Sequence, residues 1–328
     1  MYKLLSSSCF ILFISLLFSC EKEFTPQTTF DEPELVVEGY IQSGNGALPP
    51  YVILTRSLEY NRTIGQDVLN NLFVHDATVT ISDGTNSAQL QELCVSDLSF
   101  LPPFLQAAIA NAIGIPEEAF SGQGLDFCVY ADLVGILSNS GITPQEGGTY
   151  DLTVETTEFG IATAQTAIPP SITLDSIAAK DHPNFPINDT LVEIYGYFQD
   201  KPGINYYRIF SQRNSEAMYP ATSSGSNGSV TDDKIFDGQY FQFNIVRGQN
   251  SFEEFDFDTF GFFERGDTVT IRTSSLDYGH FRFFQTLEAN SASQGPFGTY
   301  VRVESNITGG LGVWGGSSFT EITKIIPQ

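Results

Sequence analysis

The feature that most constrains this chain is a short alternation of apolar and polar residues, repeated along the sequence and closed by turn signals. In Ala77–Gly84, Val79 and Ile81 alternate with Thr78 and Thr80, and Asp83-Gly84 follows. A period of two puts the apolar side chains on one face of an extended strand, and Asp-Gly favours a tight reversal. Glu34–Gln42, Tyr51–Ser57, Gly148–Thr156 and Gly160–Pro169 read as strands too, the last two joined by a turn at Phe159-Gly160. The chain holds 28 Phe, 14 Tyr, 29 Gly and 16 Pro, which are strand formers and turn formers, and long helical periodicities are few. The expected fold is mostly β. At 328 residues, two domains are expected: an immunoglobulin-like β-sandwich over residues 35–170 and a second β-rich domain over residues 171–328.

Ala167–Ile177 reads as the linker between them. Beyond it, Leu191–Asp200, Asn205–Arg213, Gly238–Val246 and Asp267–Ser275 read as strands. Asp200, Pro202 and Gly203 form a turn signal, and Asp237-Gly238 reads as a hairpin turn. One helix is expected over Leu276–Asn290, capped by Ser275 and carrying Gly279 in its interior. The chain closes on a glycine-rich segment, Ser305–Gly316, and a last strand at Glu321–Pro327.

The N-terminus carries an address. Lys3 precedes Cys9–Phe18, an apolar run too short to cross a bilayer and suited to an export signal. Leu17-Phe18-Ser19-Cys20 then resembles a bacterial lipobox, whose cysteine is acylated before cleavage leaves it first. An ordinary secretory signal ends in small residues at both key positions, which bulky Leu17 fits poorly. Residues 1–19 are expected to be a signal peptide, Cys20 the lipidated residue, and residues 20–34 a polar tether. Each acyl methylene buried contributes about 0.8 kcal/mol, so several chains hold a protein at a membrane it does not cross.

Of the four cysteines, Cys9 leaves with the signal and Cys20 takes the lipid. Cys94 and Cys128 remain, either as a disulfide, which an oxidising exported compartment favours, or as two buried thiols. A bridge would close the base of an insertion, residues 95–127, into the sandwich. Within Leu101–Phe120, Leu105, Ile109 and Ile113 recur at helical spacing and Pro103 suits a first turn. Such an excursion either packs on the sandwich or contacts a partner.

Lys and Arg total 15 against 39 acidic residues, a formal charge of −24. That surface repels nucleic acid and anionic lipid, which leaves the lipid anchor as the membrane contact. Catalytic constellations are missing from the sequence. There is no G-x-S-x-G, phosphate-binding loop, dinucleotide fingerprint or H-E-x-x-H, and His75, His182 and His280 are scattered. No catalytic residue is expected. The densest acidic run is Phe252–Phe263, where Glu254, Asp256 and Asp258 would share one face of a strand and could contribute oxygens to Ca²⁺. Strand spacing of about 6–7 Å between such carboxylates works against a single ion.

Five segments occur in a fixed order: LVVEGYI near the mature start, DKPGINYYR (Asp200–Arg208), DDKIFDGQYFQF (Asp232–Phe243), GDTVTI followed by TSSLD (Gly266–Asp277), and SNITGGLGVWGG (Ser305–Gly316). Together they resemble the DUF4249 family of Bacteroidota lipoproteins across nearly the whole mature chain. The Cys94–Cys128 insertion is longer than that family's pattern. The resemblance implies an outer-membrane lipoprotein encoded beside a TonB-dependent transporter, and Glu21-Lys22-Glu23 is compatible with the acid-rich surface-export signals of that phylum. Asp175-Ser176-Ile177, Asp189-Thr190-Leu191 and Asp267-Thr268-Val269 resemble its O-glycosylation acceptors, at Ser176, Thr190 and Thr268. The expected role is a non-enzymatic accessory or ligand-capture subunit of such a transporter, facing the cell surface. An adhesion lipoprotein is the alternative, and an enzyme acting on glycans or peptides the third reading.

Overall fold

The computed structural model describes residues 32–58, 65, 68–69, 71–98, 126–132, 141–184, 189–223, 228–249, 256–293 and 301–328. The protein is mostly β, and its strands join into one hydrogen-bonded network. In the first half, β1 (Leu35–Ser43), β2 (Tyr51–Arg56), β3 (Thr78–Ser82), β4 (Ser87–Cys94), β5 (Cys128–Ala131), β6 (Thr149–Thr156) and β7 (Gly160–Ala167) run in the order β1-β2-β5-β4-β3-β6-β7. The alternation does what its period requires. Val79 and Ile81 of β3 are fully buried, as are Leu152 and Val154 of β6 opposite them. These meet Val37, Ile41, Val52 and Leu54 of β1 and β2 in one cluster, so the two ends of this run close over a shared core. Burying each such side chain contributes about 1.5–3 kcal/mol.

The expected turns at Asp83-Gly84 and Phe159-Gly160 are present, with both glycines at positive φ. Asp83 Oδ1 accepts the Thr85 and Asn86 N–H groups at 2.8 and 2.6 Å, which fixes the β3–β4 reversal.

The second half supplies β8 (Ser176–Asp181), β9 (Leu191–Gln199), β10 (Tyr206–Arg213), β11 (Tyr219–Ser223), β12 (Val230–Asp232), β13 (Tyr240–Val246), β14 (Phe263–Glu264) and β15 (Thr268–Leu276). They surround a second cluster that includes Val192, Ile194, Phe198, Ile209, Ile245 and Ile271. Within the segment read as a linker, Ile168 packs into the first cluster, whereas Ile172 and Leu174 pack into the second.

Three readings need correction. The last strand begins well before the expected Glu321: from Leu311 on, the glycine-rich segment belongs to β16 (Leu311–Ile325), which pairs in parallel with β1 and then antiparallel with β15. Gly312, at φ 110°, is required there because a Cβ would strike the Val37 carbonyl. The helix α1 spans Tyr278–Ala292, two residues later than expected, and its cap is Asp277. Ser275 and Leu276 cannot begin it because they still pair with Ser318 and Ser317 of β16. Asp237-Gly238 is a turn but not a hairpin: β12 before it pairs with β10, and β13 after it pairs with β9. No helix among the described residues is long and apolar enough to cross a membrane.

Candidate functional site

β9 and β13 build an aromatic wall from strand alternation alone. Phe198 of β9 is its hub. The rings of Tyr207, Phe236, Phe241 and Phe243 lie 5.9, 5.8, 6.4 and 5.7 Å from it, each close to perpendicular. Phe236 and Phe241 stack at 4.3 Å. Edge-to-face and offset pairs of this kind contribute about 0.5–1.5 kcal/mol each beyond area burial. Gly196 sits opposite Phe243 in register, and a Cβ there would lie 2.9 Å from the ring tip. Glycine at 196 therefore lets that ring lie across β9.

Between this wall and Ile172, Leu174 and Ile209 opens a cavity of about 420 Å³. That is within the range of about 300–1,000 Å³ for small-molecule sites, which are apolar with a few polar groups. Thr231, Gln242, Asn244 and Thr273 are among the polar residues that line it. Asn244 is oriented by Glu193, whose Oε1 accepts its Nδ2 at 3.1 Å. β13 meets β11 only through Thr222↔Val246 and Ser223↔Ile245. Among the described residues, the stretch Tyr240–Asn244 thus pairs on its β9 side alone, leaving one strand edge open beside the cavity.

A second pocket, about 330 Å³, lies between α1, β1, β10 and β15 and is polar. Its groups satisfy one another. Arg208 stacks 3.5 Å over the Phe284 ring, donates to Ser229 Oγ at 2.9 Å and pairs with Glu288 at 3.6 Å. Tyr40 donates to Glu38 at 2.8 Å. Burial, with the Glu38 charge adding to it, pushes the Tyr51 hydroxyl up to about 12. Burial pushes the His280 imidazole down to about 3, with the nearby Arg208 charge acting the same way against the Gly316 carbonyl. The pocket reads as the polar network that docks α1.

Cys94 and Cys128 form a disulfide, directly opposite one another across β4 and β5. The helical reading of residues 101–120 lies outside the described residues, as do Cys20 and Glu254. Asp256 and Asp258 lie in a turn rather than on a strand: Asp256 accepts the Asp258 N–H at 2.9 Å and the Thr259 hydroxyl at 3.0 Å. Ser176 begins β8 and is exposed, Thr190 is exposed before β9, and Thr268 is half-buried in β15. His75 stands 2.5 Å from Glu92, His182 packs on Phe262, and His280 is buried in α1. Several lining residues fall in the family segment Asp232–Phe243, but nothing in that segment pointed to a cavity. Apart from Phe236, in the turn before β13, its rings are ordinary strand residues, and the density of Phe in Tyr240–Phe243 was the available signal.

Fold and cavity together define a mostly-β protein with an aromatic pocket of ligand size. The chain belongs to the family described as Domain of unknown function (DUF4249), whose model matches residues 21–323. No curated protein matches it.

Proposed function

We propose that this protein is a lipid-anchored, non-enzymatic capture protein that binds a small apolar or aromatic solute and passes it to a TonB-dependent outer-membrane transporter. The observation that carries this reading is the 420 Å³ cavity walled by Phe198, Phe241 and Phe243. Rings held rigidly by a sheet offer stacking and apolar contact with little ordering cost on binding. Thr231, Gln242 and Asn244 would orient the solute. The lipobox-like Cys20 supports anchoring at the cell surface, and the family match begins one residue after it.

Native mass spectrometry of the full chain, released gently from its own membranes, tests capture. The wild type is expected to carry a small-molecule adduct. Thr231→Trp, which fills the cavity from its β12 wall, is expected to lose it while keeping the wild-type circular dichroism. The same adduct on both proteins, or on neither, would contradict the reading.

A further inference from the structure

Asp200 follows β9, and Asp233 and Asp237 lie in the turn between β12 and β13. Each offers a carboxylate oxygen within 4.8 Å of the other two. Asp200 and Asp233 are each 1% exposed, whereas Asp237 faces solvent. The surrounding backbone holds them in place. Asp200 accepts the Tyr207 hydroxyl at 2.6 Å and the Gly238 N–H at 2.8 Å. Asp237 accepts the Gly203 N–H at 2.9 Å. Asp233 Oδ2 accepts both the main-chain N–H and the side-chain amide of Asn205, each at 2.9 Å. Gly203 and Gly238 both take positive φ to aim their N–H groups inward.

Two features call for a cation. Asp233 Oδ1 is buried and accepts no hydrogen bond among the described residues, an arrangement that is costly when left uncompensated. No lysine or arginine pairs with these three carboxylates among the described ion pairs. The two nearest in sequence are committed elsewhere, Lys201 to the Ser171 carbonyl at 2.7 Å and Lys234 to Asp232 at 2.6 Å. Three like charges at this spacing, two of them out of water, repel unless a positive charge stands among them.

We propose that Asp200, Asp233 and Asp237 form a Ca²⁺ site joining the turn before β10 to the turn before β13. The donors are all hard oxygens, with no imidazole or thiolate, and Ca²⁺ accepts irregular oxygen shells. Asp233 Oδ1 is the ligand the fold leaves free, and Asp237 marks the solvent entry. Hydrogen bonds to the other oxygens pre-orient the shell. The expected affinity is that of extracellular modules, about 10⁻⁴–10⁻³ M. Tyr207 and Phe236, which flank this site, also line the aromatic cavity, but the site stands whether or not the cavity holds a solute.

Thermal unfolding of the EGTA-treated full chain, followed by circular dichroism during a CaCl₂ titration, tests it. The wild-type midpoint is expected to rise by on the order of 5 °C at a hundredfold excess over Kd. Asp233→Asn places an amide among the remaining carboxylates and is expected to abolish the rise while keeping the spectrum. Asp237→Asn, at the exposed position, is expected to weaken binding about tenfold, and Asp258→Asn to leave the response unchanged. Tyrosine-sensitised Tb³⁺ emission should follow the same order. A wild-type midpoint unmoved by about 10 mM Ca²⁺ would overturn the proposal. So would a response that survives Asp233→Asn, or stabilisation by mild acid in place of Ca²⁺, which would mean that a proton fills the site.

Discussion

The indole nitrogen of Trp314 donates to the main-chain oxygen of Tyr150 across 3.0 Å, tying the last strand to β6. Asn306 brackets the same residue, accepting the Trp314 N–H at 2.9 Å and donating to its carbonyl at 2.8 Å. Gly39 lies opposite in register, and a Cβ there would approach the indole to 2.8 Å. The single tryptophan of the chain is a packed anchor with no exposed surface.

Its fluorescence should show this. Native emission is expected at the blue end of the indole range and resistant to iodide quenching, shifting red only on unfolding. Trp314→Phe removes the hydrogen bond and leaves space in the first cluster, at a cost of about 2–4 kcal/mol. Urea unfolding followed by circular dichroism reads that loss. Iodide quenching of the native protein, or a Phe variant of wild-type stability, would refute the packing described.

His280 makes stability depend on pH. Its folded pKa is lowered to about 3, chiefly by burial, against an ordinary value of 6.5. The unfolded chain therefore takes up this proton first. The contribution is fully present above about pH 6.5 and is lost as the pH falls toward 3, on the order of 4 kcal/mol in all. His280→Gln should flatten this part of the acid slope. Urea midpoints at about pH 7.5 and 4.5 measure it, and an equal drop in both proteins would show that the imidazole is not what titrates.

Cys94 and Cys128 close a loop with a sequence separation of 34. By the chain-entropy argument, Cys94→Ser with Cys128→Ser is expected to cost about 3–4 kcal/mol. Denaturant unfolding of that double variant checks it. The aromatic wall lies in the second cluster, apart from this disulfide, and should keep its near-ultraviolet signal in the folded double variant. An unchanged unfolding midpoint would contradict the prediction.

Strands with one dry face were legible in the sequence, because burial on one side leaves an alternation such as Thr78–Ser82. β16 was not legible at its start. Gly312–Phe319 is buried without a break, and a strand covered on both faces loses its period of two. Its parallel pairing with β1 joins the two ends of the fold, which no local pattern encodes. The helix began late because pairing of Ser275 and Leu276 with β16 outweighed the capping preference of serine. The acidic run at Asp256 would share a face only on a strand, whereas Asp256 bonds its own turn. The Asp200–Asp233–Asp237 cluster escaped for a related reason: its members look like turn formers, and two separate turns bring them together.

If this protein serves an outer-membrane transporter, as proposed, the two should co-purify. Tagged full chain is to be recovered from gently solubilised membranes and its companions identified by mass spectrometry. One β-barrel transporter is expected to be enriched with the wild type and lost with Cys20→Ala, which removes the proposed site of lipid attachment. Recovery of the chain alone, or equal enrichment of the barrel with Cys20→Ala, would contradict the account.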